Sequence, residues 1–417
     1  MRNPGLGLAI GCLCAAAALL TAAPARPAPD AAFSRWLDGL WPQAQGMGIS
    51  RKTFTAALHG LEPDLTLPDL ELPNRKKEPL RGQAEFVQTP ADYIRETSIA
   101  RLAEHGKKLA AEHRATLAAI EQKFGVPPSI ILAIWGRETA FGGYKLPHDT
   151  IRVLATQGYY GRRKDKFREE FLHALKILDE GHITRAAMRS SWAGAMGLTQ
   201  FLPSEFFKHT VDFDGDGRRN IWTSVPDALA SAAKQLVDKG WKRGSRWAYE
   251  VRAPVNVDCT MGVPEVKQPV AEWLQRGFVP LQGRRPSQQE LDEPASFLQP
   301  EGTYGPTFLT LNNYFVIKEY NFSDLYVLFV GHLADRIVDG RKFDTPWSKN
   351  TQLRSTQVES MQGTLSKLGM YKDKLDGKAG MLTRSALGHY QKANRLKVDC
   401  WPTPAVLNHM QAKGARN

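Results

Sequence analysis

The segment Ile131-Leu132-Ala133-Ile134-Trp135-Gly136-Arg137-Glu138-Thr139 constrains this chain more than any other. On a helix, Ile131, Ile134, Trp135 and Glu138 stand at i, i+3, i+4 and i+7, so a carboxylate shares a face with aliphatic and indole groups. An apolar face of this kind has to pack against other elements. A carboxyl in such company loses hydration, which raises its pKa, and a raised pKa is what a general acid needs near neutral pH. The same pattern also fits a Glu at a helix end that snorkels to solvent or pairs with Arg137.

Helical signals dominate the surrounding chain. Pro90 to Phe124 is rich in Ala, Leu, Glu and Lys, and Gly125 offers a C-cap before Val126-Pro127-Pro128 opens a new helix. Phe167, Phe171, Leu175 and Leu178 fall at helical spacing, as do Ala228, Leu229, Ala232, Leu236 and Val237 within 225–240. Residues 323–339 return to helix, whereas 303–316, with Phe308-Leu309-Thr310-Leu311, read as extended. The expectation is a mainly α body over 33–340 with small β elements. Residues 26–32 read as a short Pro- and Ala-rich linker, and Gly60 to Gln88 as a loose stretch. Gly340 to Thr351 is polar and contains Pro346, so 341–352 reads as a second linker. Beyond it, 353–412 carries its own apolar pattern (Val358, Met361, Leu365, Leu368, Leu387, Tyr390, Leu396) and forms a small helical domain.

A length of 417 residues implies two or more domains. The net charge of +12 favours a polyanionic partner, with nucleic acid, acidic membrane and cell-wall polymer all qualifying. Arg2, the apolar run Leu6 to Leu20 and Thr21-Ala22-Ala23-Pro24-Ala25 have the layout of a cleaved secretory signal over residues 1–25. Cys12 and Cys14 lack a lipobox, so a lipid anchor is not expected. Cys259 and Cys400 remain after cleavage, and their spacing fits a disulfide and two packed thiols equally.

Three further segments bear on chemistry. In Ser190-Ser191-Trp192-Ala193-Gly194-Ala195-Met196-Gly197-Leu198-Thr199-Gln200-Phe201, small residues admit a close partner, either a sugar that Gln200 hydrogen-bonds or a packed helix. Asp212-Phe213-Asp214-Gly215-Asp216-Gly217-Arg218-Arg219-Asn220 alternates carboxylates as an EF-hand-type Ca²⁺ loop does. Its twelfth position is Thr223 rather than Glu, and Asp227 is the candidate replacement. Tyr320-Asn321-Phe322-Ser323 with Tyr326 offers hydroxyls and aromatic faces suited to sugar rings, or to a core.

In order, Trp135-Gly-x-Glu138-Thr139, Arg162-Arg163, Ser191-Trp-Ala-Gly-Ala-Met-Gly-x-x-Gln200, the Asp212–Asn220 loop with Asp227, and Tyr320-Asn-x-Ser323 resemble glycoside hydrolase family 103. These are the lytic murein transglycosylases of the membrane-bound lytic transglycosylase B type. The resemblance implies a lysozyme-like fold and Glu138 as the sole catalytic acid/base. Ser191, Gln200, Arg162, Arg163 and Tyr320 would contact the glycan. A structural Ca²⁺ would be held by Asp212, Asp214, Asp216, the Arg218 carbonyl and Asp227, with no cofactor needed for the chemistry. Val358-x-x-Met-Gln362, Asp376-Gly377-x-x-Gly380, Thr383-Arg384-x-Ala386-Leu387 and Tyr390-Gln391 resemble the family 1 peptidoglycan-binding domain, with Asp399-Cys400 where a second Asp-Gly turn is usual. The implied substrate is the peptidoglycan glycan strand, cut at the MurNAc–GlcNAc bond with formation of 1,6-anhydro-MurNAc. The expected setting is the periplasm, as a monomer, with cell-wall synthesis or division proteins as partners and no nucleic acid.

Overall fold

The computed structural model describes residues 30–72, 88–348 and 353–414. The expected export signal, and parts of both the loose stretch and the second linker, lie outside the described residues.

Helices pack into two adjoining cores, as the apolar periodicities require. The first collects Ala31–Asp38, Trp41–Gly46 and Arg51–Leu58 against Thr150–Tyr160, Lys164–Asp179 and Pro203–His209. Asp30 starts the opening helix by accepting from the Ala32 and Phe33 N–H groups. The second core is built from Glu96–Glu112, Arg114–Phe124, Pro128–Thr139, Val225–Asp238 and Asp324–Val338. Within Pro128–Thr139 every residue from Ile130 to Gly136 is buried, so this helix is enclosed on all sides rather than on one stripe. Gly136 permits that enclosure, since a Cβ there would meet the Phe141 ring at 2.7 Å.

A five-stranded antiparallel sheet adjoins the helices, in the order Gln268–Pro269, Pro294–Leu298, Thr307–Thr310, Ala248–Arg252 and Val279–Pro280. Tyr249 and Phe297 flank Leu309 in register and cover Trp273 and Phe278 in a core of their own. Of the segment read as extended, only Thr307–Thr310 joins this sheet; Asn312–Lys318 is a helix that buries Tyr314, Val316 and Ile317. The partner strands lacked a sequence signature because Ala248 to Val251 are buried on both faces, which erases the alternation.

Residues 341–348 are not the loose linker that their polarity suggested. Phe343 stacks on the buried His332 ring at 4.0 Å, and Glu250 accepts from the Asp344 and Thr345 N–H groups at 2.9 and 2.8 Å. Glu301 similarly accepts from Ser348 N–H at 2.8 Å. The helical body therefore continues past its expected end at 340, because buried carboxylates recruit the strap's backbone donors. Part of the other loose stretch is also packed, with Leu61 and Leu67 buried.

Ser355–Lys367, Met381–Ala393 and Pro404–Gly414 form the C-terminal unit around Val358, Met361, Leu365, Leu387 and Tyr390. Gln362 is its hub, accepting from Gly377 N–H at 2.8 Å and donating to the Lys378 carbonyl at 3.1 Å. Gln391 repeats this arrangement, accepting from the Asp399 and Cys400 N–H groups while donating to the Asp399 carboxylate. Gly377 has φ +69° and Cys400 φ +54°, so cysteine occupies a left-handed position where glycine would be unstrained.

The Cys400 side chain is used: it forms a disulfide with Cys259 of the helical body. Around it, Arg384 pairs with Asp324 at 3.2 Å, Ser385 donates to the Thr260 carbonyl, and Lys392 bonds Asp258. The C-terminal unit is thus docked on the body rather than tethered beside it. Closing a loop of this length, with 141 residues between the cysteines, is worth roughly 5 kcal/mol in unfolded-chain entropy. The double substitution Cys259→Ser/Cys400→Ser is expected to lower the melting temperature by several degrees and to expose 353–414 to limited proteolysis, read by calorimetry and by gel.

Candidate active site

Glu138 occupies the last turn of the Pro128–Thr139 helix and is half-buried. The chain then turns away through three consecutive left-handed residues, Ala140 (φ +49°), Phe141 (φ +59°) and Gly142 (φ +79°). Such a turn persists only when its surroundings hold it. Phe141 is clamped by Trp135 and His105 at ring distances of 5.6 and 4.8 Å, and Gly142 N–H donates to the Thr139 hydroxyl at 3.0 Å. That hydroxyl in turn donates to the Leu198 carbonyl at 2.7 Å. One side chain therefore fixes the segment beside Gln200 to the end of the Glu138 helix.

Tyr326, in the first turn of Asp324–Val338, donates its hydroxyl to Glu138 Oε1 at 2.5 Å. Tyr320 lies parallel to it, ring centroids 6.4 Å apart, and donates to the Thr199 carbonyl at 2.8 Å. Burial pushes the Tyr326 phenol far above its ordinary pKa, with the Glu138 charge adding to the effect. Burial does the same to Tyr320, again assisted by Glu138. Both hydroxyls thus stay protonated and can act as donors throughout the range in which a carboxyl titrates.

The Ser190–Phe201 segment is a set of turns and isolated bridges, Ser190 with Met196 and Met196 with Phe201, which excludes the packed-helix alternative. Gly194 (φ +84°) and Gly197 (φ +73°) are left-handed, and a Cβ on Gly197 would meet the Ile221 carbonyl oxygen at 2.7 Å. Gln200 is itself left-handed at φ +59° and donates to the Gly197 carbonyl at 3.0 Å. Ser191 Oγ accepts from the Ala193 and Ala195 N–H groups, which closes the turn. A two-residue ladder, His148–Asp149 with Arg189–Ser190, ties the loop that follows Glu138 to the residue before Ser191.

The structure therefore brings Glu138, Tyr320, Ser191 and Gln200 onto one connected framework. Arg162 and Arg163 are placed differently, both closing on Asp69 at 3.4 and 3.3 Å. Asp69 comes from the stretch read as loose, and a Leu70–Gly161 bridge holds it there. The sequence marks the Tyr326 hydroxyl and ring as suited to a sugar, not as the partner of Glu138, and gives Thr139 no role beyond its place in the motif. Their partners lie 188 and 59 residues away, and no local pattern encodes such pairing.

In the acidic loop, ligand atoms of Asp212, Asp214 and Asp227 lie within 4.8 Å of one another. Asp216 is not of this group, and its Oδ1 accepts from Arg218 N–H at 2.8 Å. Asp227 is buried and accepts from the Phe213, Asp214 and Asn220 N–H groups. Burial nevertheless raises its pKa, with the neighbouring Asp214 charge adding to that effect. Clustered oxygen donors with unfavourable mutual charge suit a hard divalent cation.

Residues 32–335 match the family described as the transglycosylase SLT domain, and 354–410 match the putative peptidoglycan-binding domain. The chain belongs to the lytic murein transglycosylase family. Membrane-bound lytic murein transglycosylase B of Escherichia coli (strain K12) is 32% identical over 225 residues, which span 53% of this chain and 59% of that protein. SltB3 of Pseudomonas aeruginosa, solved in complex with NAG-anhNAM-pentapeptide, is 34% identical with a TM-score of 0.79, over 91% of this chain and 99% of that one. Slt35 of Escherichia coli, solved in complex with calcium, is 27% identical with a TM-score of 0.51, over 60% and 76% of the two chains.

Gly197→Ala is expected to destabilise the protein by about 1–3 kcal/mol through strain and overlap. Thermal melts measure the loss, and an unchanged midpoint would contradict the assigned turn.

Proposed function

We propose that this protein is a lytic transglycosylase that cuts the β-1,4 bond between MurNAc and GlcNAc in peptidoglycan and leaves 1,6-anhydro-MurNAc. The observation that carries the reading is the bond from Tyr326 to Glu138, which holds one carboxyl at the mouth of a buried helix. Glycosidases that hydrolyse by the two-carboxylate route need a second acid to activate water or to attack the sugar. Among Glu138, Tyr326, Tyr320, Ser191 and Gln200 the only carboxyl is that of Glu138.

In the proposed sequence, protonated Glu138 gives its proton to the oxygen leaving C1 of MurNAc. The N-acetyl group assists at the cation-like centre, a step taken from the family resemblance, and Ser191 and Gln200 hold that sugar. Carboxylate Glu138 then takes the proton of the C6 hydroxyl, and the C6 oxygen bonds to C1. One residue serves as acid and then base. Tyr326 fixes the position of the carboxyl between the two steps. Arg162 and Arg163, set against Asp69, would meet the strand farther from the cut. Glu138→Gln is expected to reduce release of anhydromuropeptides from sacculi at least 10³-fold, and Tyr326→Phe roughly 10–100-fold. Mass spectrometry distinguishes the rival chemistry: products heavier by one water would make the protein a hydrolase.

The docked C-terminal unit would hold peptidoglycan while the helical body cuts it, and the complex of SltB3 with a peptide-bearing fragment supports peptide-bearing strands as substrate. Residues 1–25 would direct export to the periplasm, where the positive net charge of +12 suits an anionic wall. We read the protein as a monomer that meets wall-synthesis or division proteins. Asp212, Asp214 and Asp227 would hold Ca²⁺, which would pin the loop to the Val225–Asp238 helix and take no part in the reaction. Millimolar Ca²⁺ is accordingly expected to raise the melting temperature relative to EDTA, and Asp227→Asn to abolish that difference.

A further inference from the structure

Arg137 precedes Glu138 in the last turn of the Pro128–Thr139 helix, yet its guanidinium turns to a different partner. It is held between two rings, Tyr93 at 4.9 Å and Phe329 at 5.2 Å, and donates from Nε and Nη2 to the Tyr93 hydroxyl at 3.0 and 2.6 Å. The two rings are 7% and 6% exposed and meet edge to face at 5.9 Å. Each is fixed in turn. Thr89 caps the short Pro90–Tyr93 helix, and Phe329 stands three residues after Tyr326 on one face of Asp324–Val338. One helix therefore presents Tyr326 to Glu138 and, a turn later, Phe329 to Arg137.

A partly buried cation is costly unless a carboxylate meets it. Here both hydrogen bonds end on a neutral hydroxyl, and among the described residues no carboxylate lies within ion-pair distance of Arg137. Rings facing the cation recover only part of the cost. An apolar side chain would fill the same slot without it, so the charge itself is what this position supplies.

That charge reaches the active carboxyl. Burial works to lower the Arg137 pKa, but Tyr93 and then the charge of Glu138 outweigh burial and raise it, so the guanidinium stays charged. On the Tyr326 phenol, which burial and Glu138 raise, Arg137 works in the opposite sense. The other charges on surrounding elements are matched locally. Glu96 bonds His332 at 2.5 Å and lies 3.6 Å from Arg336, while Glu205 is held by Lys208 and His209. Asp324 is matched by Lys318 and Arg384, and Asp238 by Lys234. His105 and His113 pack on Phe141 and Trp135.

We propose that Arg137 is a positioning residue of the reaction: parked on Tyr93, its charge steadies Glu138 in the carboxylate form that follows proton donation, while the carboxyl itself stays open to the substrate. The inference rests on the transglycosylase reading for the role of Glu138. A nearby cation favours the carboxylate, so removing it raises the Glu138 pKa. Glu138 has to enter the cycle protonated, so activity falls as pH rises through that pKa. Arg137→Met, which fills the slot between the rings without charge, is expected to move the alkaline limb of the kcat/KM profile up by about one pH unit. Arg137→Lys should return the limb towards its wild-type pH. Tyr93→Phe keeps the ring but removes the acceptor, frees the guanidinium to close on Glu138, and should move the limb down. Titration of the Glu138 carboxyl by ¹³C NMR, assigned with Glu138→Gln, reads the same shifts without turnover. An enzyme that cleaves no strand would sink the transglycosylase reading, while the titration still decides the role of Arg137. A merely structural Arg137 would lower the melting temperature on substitution and move neither midpoint. Unshifted midpoints in Arg137→Met, or in Tyr93→Phe should Arg137→Met not fold, would overturn the proposal.

Discussion

The hydrogen bond from Tyr326 to Glu138 joins two buried helices at the place where one ends and the other begins. Around it, Ile130, Ile131, Leu132, Ile134 and Trp135 are buried, which at about 2 kcal/mol each supplies on the order of 10 kcal/mol. Holding a half-buried carboxyl costs a few kcal/mol, and a charge-assisted hydrogen bond returns about 1.5–3 of it. The apolar helix is what permits a carboxyl to stay at its end, and the tyrosine is what keeps it in one place. The Thr139–Leu198 and Tyr320–Thr199 bonds then bring the Gln200 turn to the same point.

Left-handed backbone recurs at these junctions. Ala140, Phe141 and Gln200 adopt φ values that favour glycine; the first two follow Glu138 by two and three residues, and Gln200 is itself part of the site. Strain of this kind survives because packing over-determines it, as the Phe141 ring between Trp135 and His105 illustrates. Cys400 follows the same logic in the C-terminal unit. It holds the left-handed turn that Gly377 makes in the equivalent arrangement, and its sulfur links that unit to the body. The two units consequently form one scaffold, in which the C-terminal unit cannot wander from the helical body.

Much of this could be read from the chain. The amphipathic helices, the placement of Glu138 on an apolar helix face and the acidic turn follow from periodicity and from residue types whose local geometry is nearly obligatory, whereas the burial of Pro128–Thr139 on all sides does not. The strap over 341–348 and the strands around Thr307–Thr310 could not be read. Their stability comes from buried carboxylates and cross-strand neighbours far away in sequence, and their own composition is polar or unpatterned.

The sequence by itself therefore determined a mainly helical body, a separate C-terminal helical unit, and one carboxyl on an apolar helix whose neighbouring motifs mark its family. Only the tertiary structure decided that Tyr326 is the partner of that carboxyl, that Arg162 and Arg163 close on Asp69, that Asp212, Asp214 and Asp227 converge without Asp216, and that Cys259 pairs with Cys400. The physical reason is range. Helix periodicity and turn chemistry act over a few residues, whereas each of these pairings depends on how whole helices cross, and the pattern within any one segment does not contain that information.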